Sequence, residues 1–84
     1  MSREQHQARL LRFLETIRRP DKRVEDIDPN ENLVQAGLID SLALLEIVTF
    51  LESEFAIDFA ATGVDPGRLT TIPSILDLIE QHTT

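Results

Sequence analysis

The 84-residue sequence has no cysteine, which removes disulfide bridges and thiolate metal ligands from what its own side chains can do. Any sulfur chemistry would have to arrive with an attached group. Basic residues are scarce after position 23, where Arg68 alone stands against twelve acids. The first 23 residues are the reverse, with seven basic side chains against three acidic ones, and the whole chain carries a net charge of −7. The larger part should therefore repel nucleic acid and attract basic partners, although a merely solvated acidic surface would have the same composition. No apolar run is long enough to span a bilayer, and the start around Arg3 and Arg9 lacks the apolar stretch of a secretion signal. A soluble, cytoplasmic chain is expected. The two histidines, His6 and His82, lie near opposite ends without ligand spacing, so no metal site is expected. The length suits one domain, residues 1–84, with a single core and a stability of about 4 to 13 kcal/mol.

What is present is helical periodicity. Ser2 and Gln5 fit a capping box, after which Ala8, Leu10, Leu11, Phe13, Leu14 and Ile17 fall at spacings of three and four. Arg18 and Arg19 suit the last turn of this first helix, and Pro20 stops it. Residues 20–40 are too rich in Asp, Asn and Pro for a long helix, yet carry Val24, Ile27, Leu33, Val34, Leu38 and Ile39. A loop pinned across a helical core is expected, with one helical turn over Asn32 to Ala36 closed by Gly37. A second helix is predicted over Ser41–Phe55, with Leu44, Ile47, Val48, Leu51 and Phe55 inward and Glu46, Thr49, Glu52 and Ser53 outward. Leu42 and Leu45 fall at the border, and for Leu45 a binding face and a wide core stripe fit equally well. Ile57 and Phe59 should point inward from a connection. Asp65 and Pro66 should open a short helical piece, and Thr71 should start a last helix carrying Ile72, Ile75, Leu76 and Ile79 that ends from Gln81 onward. No convincing strand appears. The expected fold is all-α: three long helices and one short one, with a long loop between helices one and two.

The loop meets the second helix at Gly37-Leu38-Ile39-Asp40-Ser41-Leu42. Gly37 permits a positive φ, and Asp40 or Ser41 can cap the first turn. A hydroxyl is thus presented at a helix N-terminus, where orphan amides and the helix dipole favour a phosphate. Asp-Ser before a helix is also ordinary capping chemistry. Taken alone, that is the commoner explanation.

Leu33, the Gly37–Leu42 stretch, Glu46, the Phe55 to Ile57 helix end and Thr71-Ile72 stand in the order and at the separations of a known family. Over nearly its whole length the chain resembles the acyl carrier proteins and the related peptidyl and aminoacyl carriers. The resemblance implies that Ser41 receives covalent 4′-phosphopantetheine from coenzyme A through a separate phosphopantetheinyl transferase. It implies that Asp40 assists the transferase and its magnesium ion, and that Leu42, Leu45 and Glu46 contact partner enzymes. The chain itself would be a non-catalytic monomeric carrier. It would hold acyl groups as thioesters for fatty acid, polyketide or specialised lipid biosynthesis, and meet an acyl- or aminoacyl-loading ligase and downstream synthases. Ala43, Thr49 and Ser53 stand where fatty acid carriers often have acids, which leans toward a specialised pathway. Leu51, Ile57, Phe59, Leu69 and Ile72 would line a cargo cavity or simply form the core. Rival readings are an aminoacyl or peptidyl carrier, a cofactor-free helical interaction module, and an enzyme with Ser41 as nucleophile and His6 or His82 as base. The last lacks the Gly-x-Ser-x-Gly elbow.

Overall fold

The periodic segments become helices packed through their apolar faces. In the computed structural model, which describes residues 3–83, the chain forms α1 (Arg3–Ile17), α2 (Ala43–Phe55), α3 (Phe59–Thr62) and α4 (Ile72–Thr83), with 3-10 turns at Val24–Asp26 and Pro66–Leu69. No strand occurs among the described residues. Leu10 and Leu14 of α1, Ile47 and Leu51 of α2, and Ile75 and Ile79 of α4 are fully shielded from solvent and meet in one core. Their helices gain stability mainly from that burial, because isolated helices of this length are marginal.

Side-chain contacts fix the directions. His6 lies against Phe55 and Phe13 against Phe50, so α1 runs antiparallel to α2. Arg3 reaches Asp77 and Glu80, each at 3.0 Å, which sets α1 antiparallel to α4 as well. These hydrogen-bonded carboxylates, Glu80 first and Asp77 second, raise the pKa of the Arg3 guanidinium.

The structure departs from the periodicity at several points. Ala8 is exposed, and His6 faces inward in its place at 3% exposure, with its ring edge-on to Phe55. Helix α1 ends at Ile17, so Arg18 and Arg19 lie just beyond its last turn; Arg18 pairs with Glu15 at 2.8 Å. Ser2 of the expected capping box lies outside the described residues. The connection after α2 contains an unforeseen helical turn, α3, capped by Asp58, whose side chain accepts from the Ala61 N–H. Ile57 and Phe59 are buried as their alternation implies. Asp65 caps the Pro66–Leu69 turn through the Gly67 N–H, and the Thr71 hydroxyl caps α4 through the Ser74 N–H. Helix α4 continues through Gln81 to Thr83.

His6 Nδ1 is buried without a hydrogen-bond partner, an arrangement that costs about 1 to 3 kcal/mol of desolvation. His6→Leu is therefore expected to raise stability by about 1 kcal/mol or more, read as a higher urea midpoint at unchanged slope. A lowered midpoint would show that the imidazole holds the helix pair together.

The long loop is part of the core. Leu33, Leu38 and Ile39 are buried, and Val24 and Ile27 pack against the helices from the rim. Backbone hydrogen bonds anchor it at two places: Leu33 N–H to Thr70 O at 2.7 Å, and Arg19 N–H to Leu38 O at 2.7 Å. Between them Asn32 Oδ1 accepts from the N–H groups of Val34 and Gln35, and Gly37 closes the turn with φ +82°. An L side chain is strained in that conformation.

Candidate functional site

The last residues of the loop, Leu38 and Ile39, are buried and hydrogen-bonded, and the chain then turns into α2. Asp40, rather than Ser41, caps it: Asp40 Oδ1 accepts from the Ala43 N–H at 3.0 Å. The opening is 3-10-like, with Ala43 N–H bonded to Asp40 O, Leu44 N–H to Ser41 O and Leu45 N–H to Leu42 O. This tighter turn delays regular α-helix to Ala43, two residues later than the periodicity predicts.

With Asp40 in the capping role, the Ser41 side chain is left over. It is exposed, and nothing among the described residues hydrogen-bonds to its hydroxyl. The backbone N–H groups of Ser41 and Leu42 likewise meet no protein acceptor among the described residues. An unengaged hydroxyl beside two uncommitted amides, at the positive end of a 13-residue helix, can accept a phosphoryl group and hold a phosphodiester. It is a poor nucleophile for acyl chemistry on its own, because no base touches it. His6 is committed to the core and His82 lies near the end of α4.

Asp40→Ala is expected to lower stability by about 1 kcal/mol through loss of the cap, and Asp40→Asn to keep most of it, both read from urea midpoints. Equal losses for the two variants would mean that charge, not capping, is the contribution.

A family model described as the phosphopantetheine attachment site matches residues 12–81. The chain belongs to this family of acyl and peptidyl carriers. No curated protein and no solved structure matches it. Members of the family carry covalent 4′-phosphopantetheine and are generally not catalysts themselves, and a carrier of this kind meets transferase and synthase partners. The arrangement at Ser41 fits such a group, since a phosphodiester needs one free hydroxyl and donors for its oxygens.

The carrier presents Leu42 at 73% and Leu45 at 68% exposure, which excludes the core stripe for Leu45 and leaves a surface patch beside Ser41. Glu46 is exposed on the following turn and has no ionic partner among the described residues. Asp40, Ser41, Leu42, Leu45 and Glu46 thus share the opening and outer face of α2. Ala43 is buried, so the absence of an acid there belongs to packing rather than to the surface. The suggested cargo-lining set of Leu51, Ile57, Phe59, Leu69 and Ile72 is part of the packed core. Among the described residues no group of three His, Cys, Asp or Glu is placed to hold a metal, and no helix is long and apolar enough to cross a membrane.

One feature of this face escaped the periodicity. Phe50 points outward enough to stack on Phe13, with ring centroids 4.3 Å apart. A large aromatic one turn from Glu46 and Ser53 on a polar face was the available signal.

Proposed function

We propose that Ser41 is the attachment residue and that the chain is an acyl carrier serving fatty acid, polyketide or specialised lipid biosynthesis. The observation that supports this reading is the free Ser41 hydroxyl, left exposed by the Asp40 cap inside the stretch that matches the family. In the transfer step the Ser41 oxygen would form a P–O bond to the pantetheine-bearing phosphorus of coenzyme A as the phosphoanhydride bond breaks, with adenosine 3′,5′-bisphosphate leaving and the Ser41 proton passing to a base of the transferase. The Ser41 and Leu42 N–H groups, which meet no protein acceptor among the described residues, would be the donors available to hold the phosphodiester. Asp40 holds one carboxylate oxygen on the Ala43 N–H, and its other oxygen would be the one to assist the transferase and its magnesium ion. Leu42 and Leu45 provide an apolar contact for partner enzymes and Glu46 a charged one, which favours basic partners. When bound, the group supplies a terminal thiol that holds cargo as a thioester, within reach of each visiting enzyme at high effective concentration.

The thin acidity of the outer face of α2, where Thr49 and Ser53 are exposed and uncharged, supports a specialised rather than a housekeeping pathway. The test is the intact mass of the chain after incubation with coenzyme A, magnesium and a broad-specificity phosphopantetheinyl transferase. A gain of one phosphopantetheine is expected. An unchanged mass, beside a control carrier that is modified, would overturn the assignment.

A further inference from the structure

The stacked rings of Phe13 and Phe50 have no part in the chemistry at Ser41. Their planes lie 8° apart, and both are half-buried, so the core holds them while they stay open to solvent. They form the shared floor of two shallow grooves, of about 400 Å³ and 380 Å³, along the seam between α1 and α2. Ser41 and Leu42 line neither groove.

The two banks of the seam carry opposite charge. Arg9 and Arg12 stand on the α1 bank, and Glu46 and Glu54 on the α2 bank, all four exposed. Arg12 and Glu46 have no ionic partner among the described residues. Arg9 and Glu54 share only a 3.8 Å contact, with both side chains nearly half exposed, and such a pair is readily exchanged. A wholly basic or wholly acidic visitor would match one bank and be repelled by the other. The occupant must carry an apolar centre flanked by a negative bank and a positive bank, set one helix spacing apart. The chain's own seam has this form.

We propose that this seam pairs with the same seam of a second copy of the chain, α1 of each lying over α2 of the other. A two-fold axis in the contact plane, parallel to the helices, achieves this. Because Arg9 is level with Glu54, and Phe13 with Phe50, within one copy, the same levels then meet between copies. The four rings gather at the centre, and the arginines of each copy line the carboxylates of the other. An axis across the helices at the stack would instead set Arg12 against Arg12 and Glu46 against Glu54. Charge therefore selects one of the two arrangements. Two adjacent helices, each about 20 Å long and about 10 Å wide, offer roughly 400 Å² per copy, which puts the pair in the weak, reversible class. The family resemblance implies a monomer, so this pairing goes beyond it and needs nothing from Ser41.

The test is sedimentation of the full, unmodified chain over a concentration series, with amide NMR shifts followed over the same series to locate the contact. A reversible dimer is expected, with shifts centred on Arg12, Phe13, Phe50 and Glu54. Its association should weaken as salt rises, because exposed ion pairs are screened. Two charge-swapped variants decide the partner. Arg9→Glu with Arg12→Glu, and separately Glu46→Arg with Glu54→Arg, should each dimerise weaker by roughly tenfold or more while staying folded in urea titrations. Mixed in equal amounts, the two variants should form a one-to-one pair about as strong as the native dimer. No association of the native chain, shifts confined to α4 or the long loop, salt-independent association, or folded variants that fail to pair when mixed would each overturn the proposal. The salt dependence and the shift map of the native chain judge it without any variant.

Discussion

Ser41→Ala is expected to abolish phosphopantetheine incorporation completely, with the urea midpoint of unfolding moved by no more than about 0.5 kcal/mol equivalent. The two halves of that result follow from separate facts. With Ser41 proposed as the attachment residue, the substitution deletes the one oxygen that incorporation would use, and no neighbouring hydroxyl shares its place at the start of α2. Stability does not need it, because the cap comes from Asp40 and the Ser41 hydroxyl has no hydrogen bond among the described residues. Intact mass and urea titration on the same preparation read both. Residual modification of the alanine variant would place attachment at another hydroxyl. A marked loss of stability would show that Ser41 is a structural cap after all, and would remove the physical basis for treating it as spare.

Leu33→Ala is expected to lower stability by about 2 to 5 kcal/mol, a large share of the roughly 4 to 13 kcal/mol available to a chain of this size. Leu33 lies in the loop, yet its side chain is fully buried. Its N–H donates to Thr70 O at 2.7 Å and its carbonyl accepts from Leu38 at 3.1 Å. Truncation therefore opens a cavity at the point where the loop crosses to the segment before α4. Val24→Ala, at a half-buried position in the same loop, should cost much less. Because residues 33–39 deliver Ser41, the Leu33 variant should also be modified more slowly under conditions where most of it is still folded. A loss below about 1 kcal/mol for Leu33→Ala would mean that the loop is draped over the bundle rather than built into it.

The helices and the pinned loop were legible because their signals are periodic or chemical: apolar residues at spacings of three and four, Pro20 as a stop, Asp65-Pro66 as a start, and Thr71 ahead of Ile72. What was not legible depended on tertiary placement. Helix α3 is a single turn of four residues, too short for any period to register. Ala8 and His6 both sit on α1, and which one turns inward is decided by packing against Phe55, far along the chain. Asp40 and Ser41 are adjacent residues that can both cap, and the choice between them depends on the 3-10 geometry of the backbone entering α2. That choice determines whether the serine is occupied or available. The exposure of Leu45 was undecided for a similar reason, since a border position on a helical wheel is settled only by what packs beside it. Phe50 stacks on Phe13 of another helix, a pairing that the period of a single helix does not register.

The ion pairs of Arg3 with Asp77 and Glu80 place the beginning of α1 against the later turns of α4, whereas Ser41 lies at the opposite end of the bundle, where Arg19 meets Leu38. Anything joined to either end of the folded unit would leave from the same pole, about one helix length from the serine. A tag, an immobilising bead or a neighbouring domain would therefore hold the molecule by its base without shading the face proposed for partner enzymes. Labelling at a terminus is accordingly the attachment geometry least expected to interfere with surface-based binding measurements on this carrier.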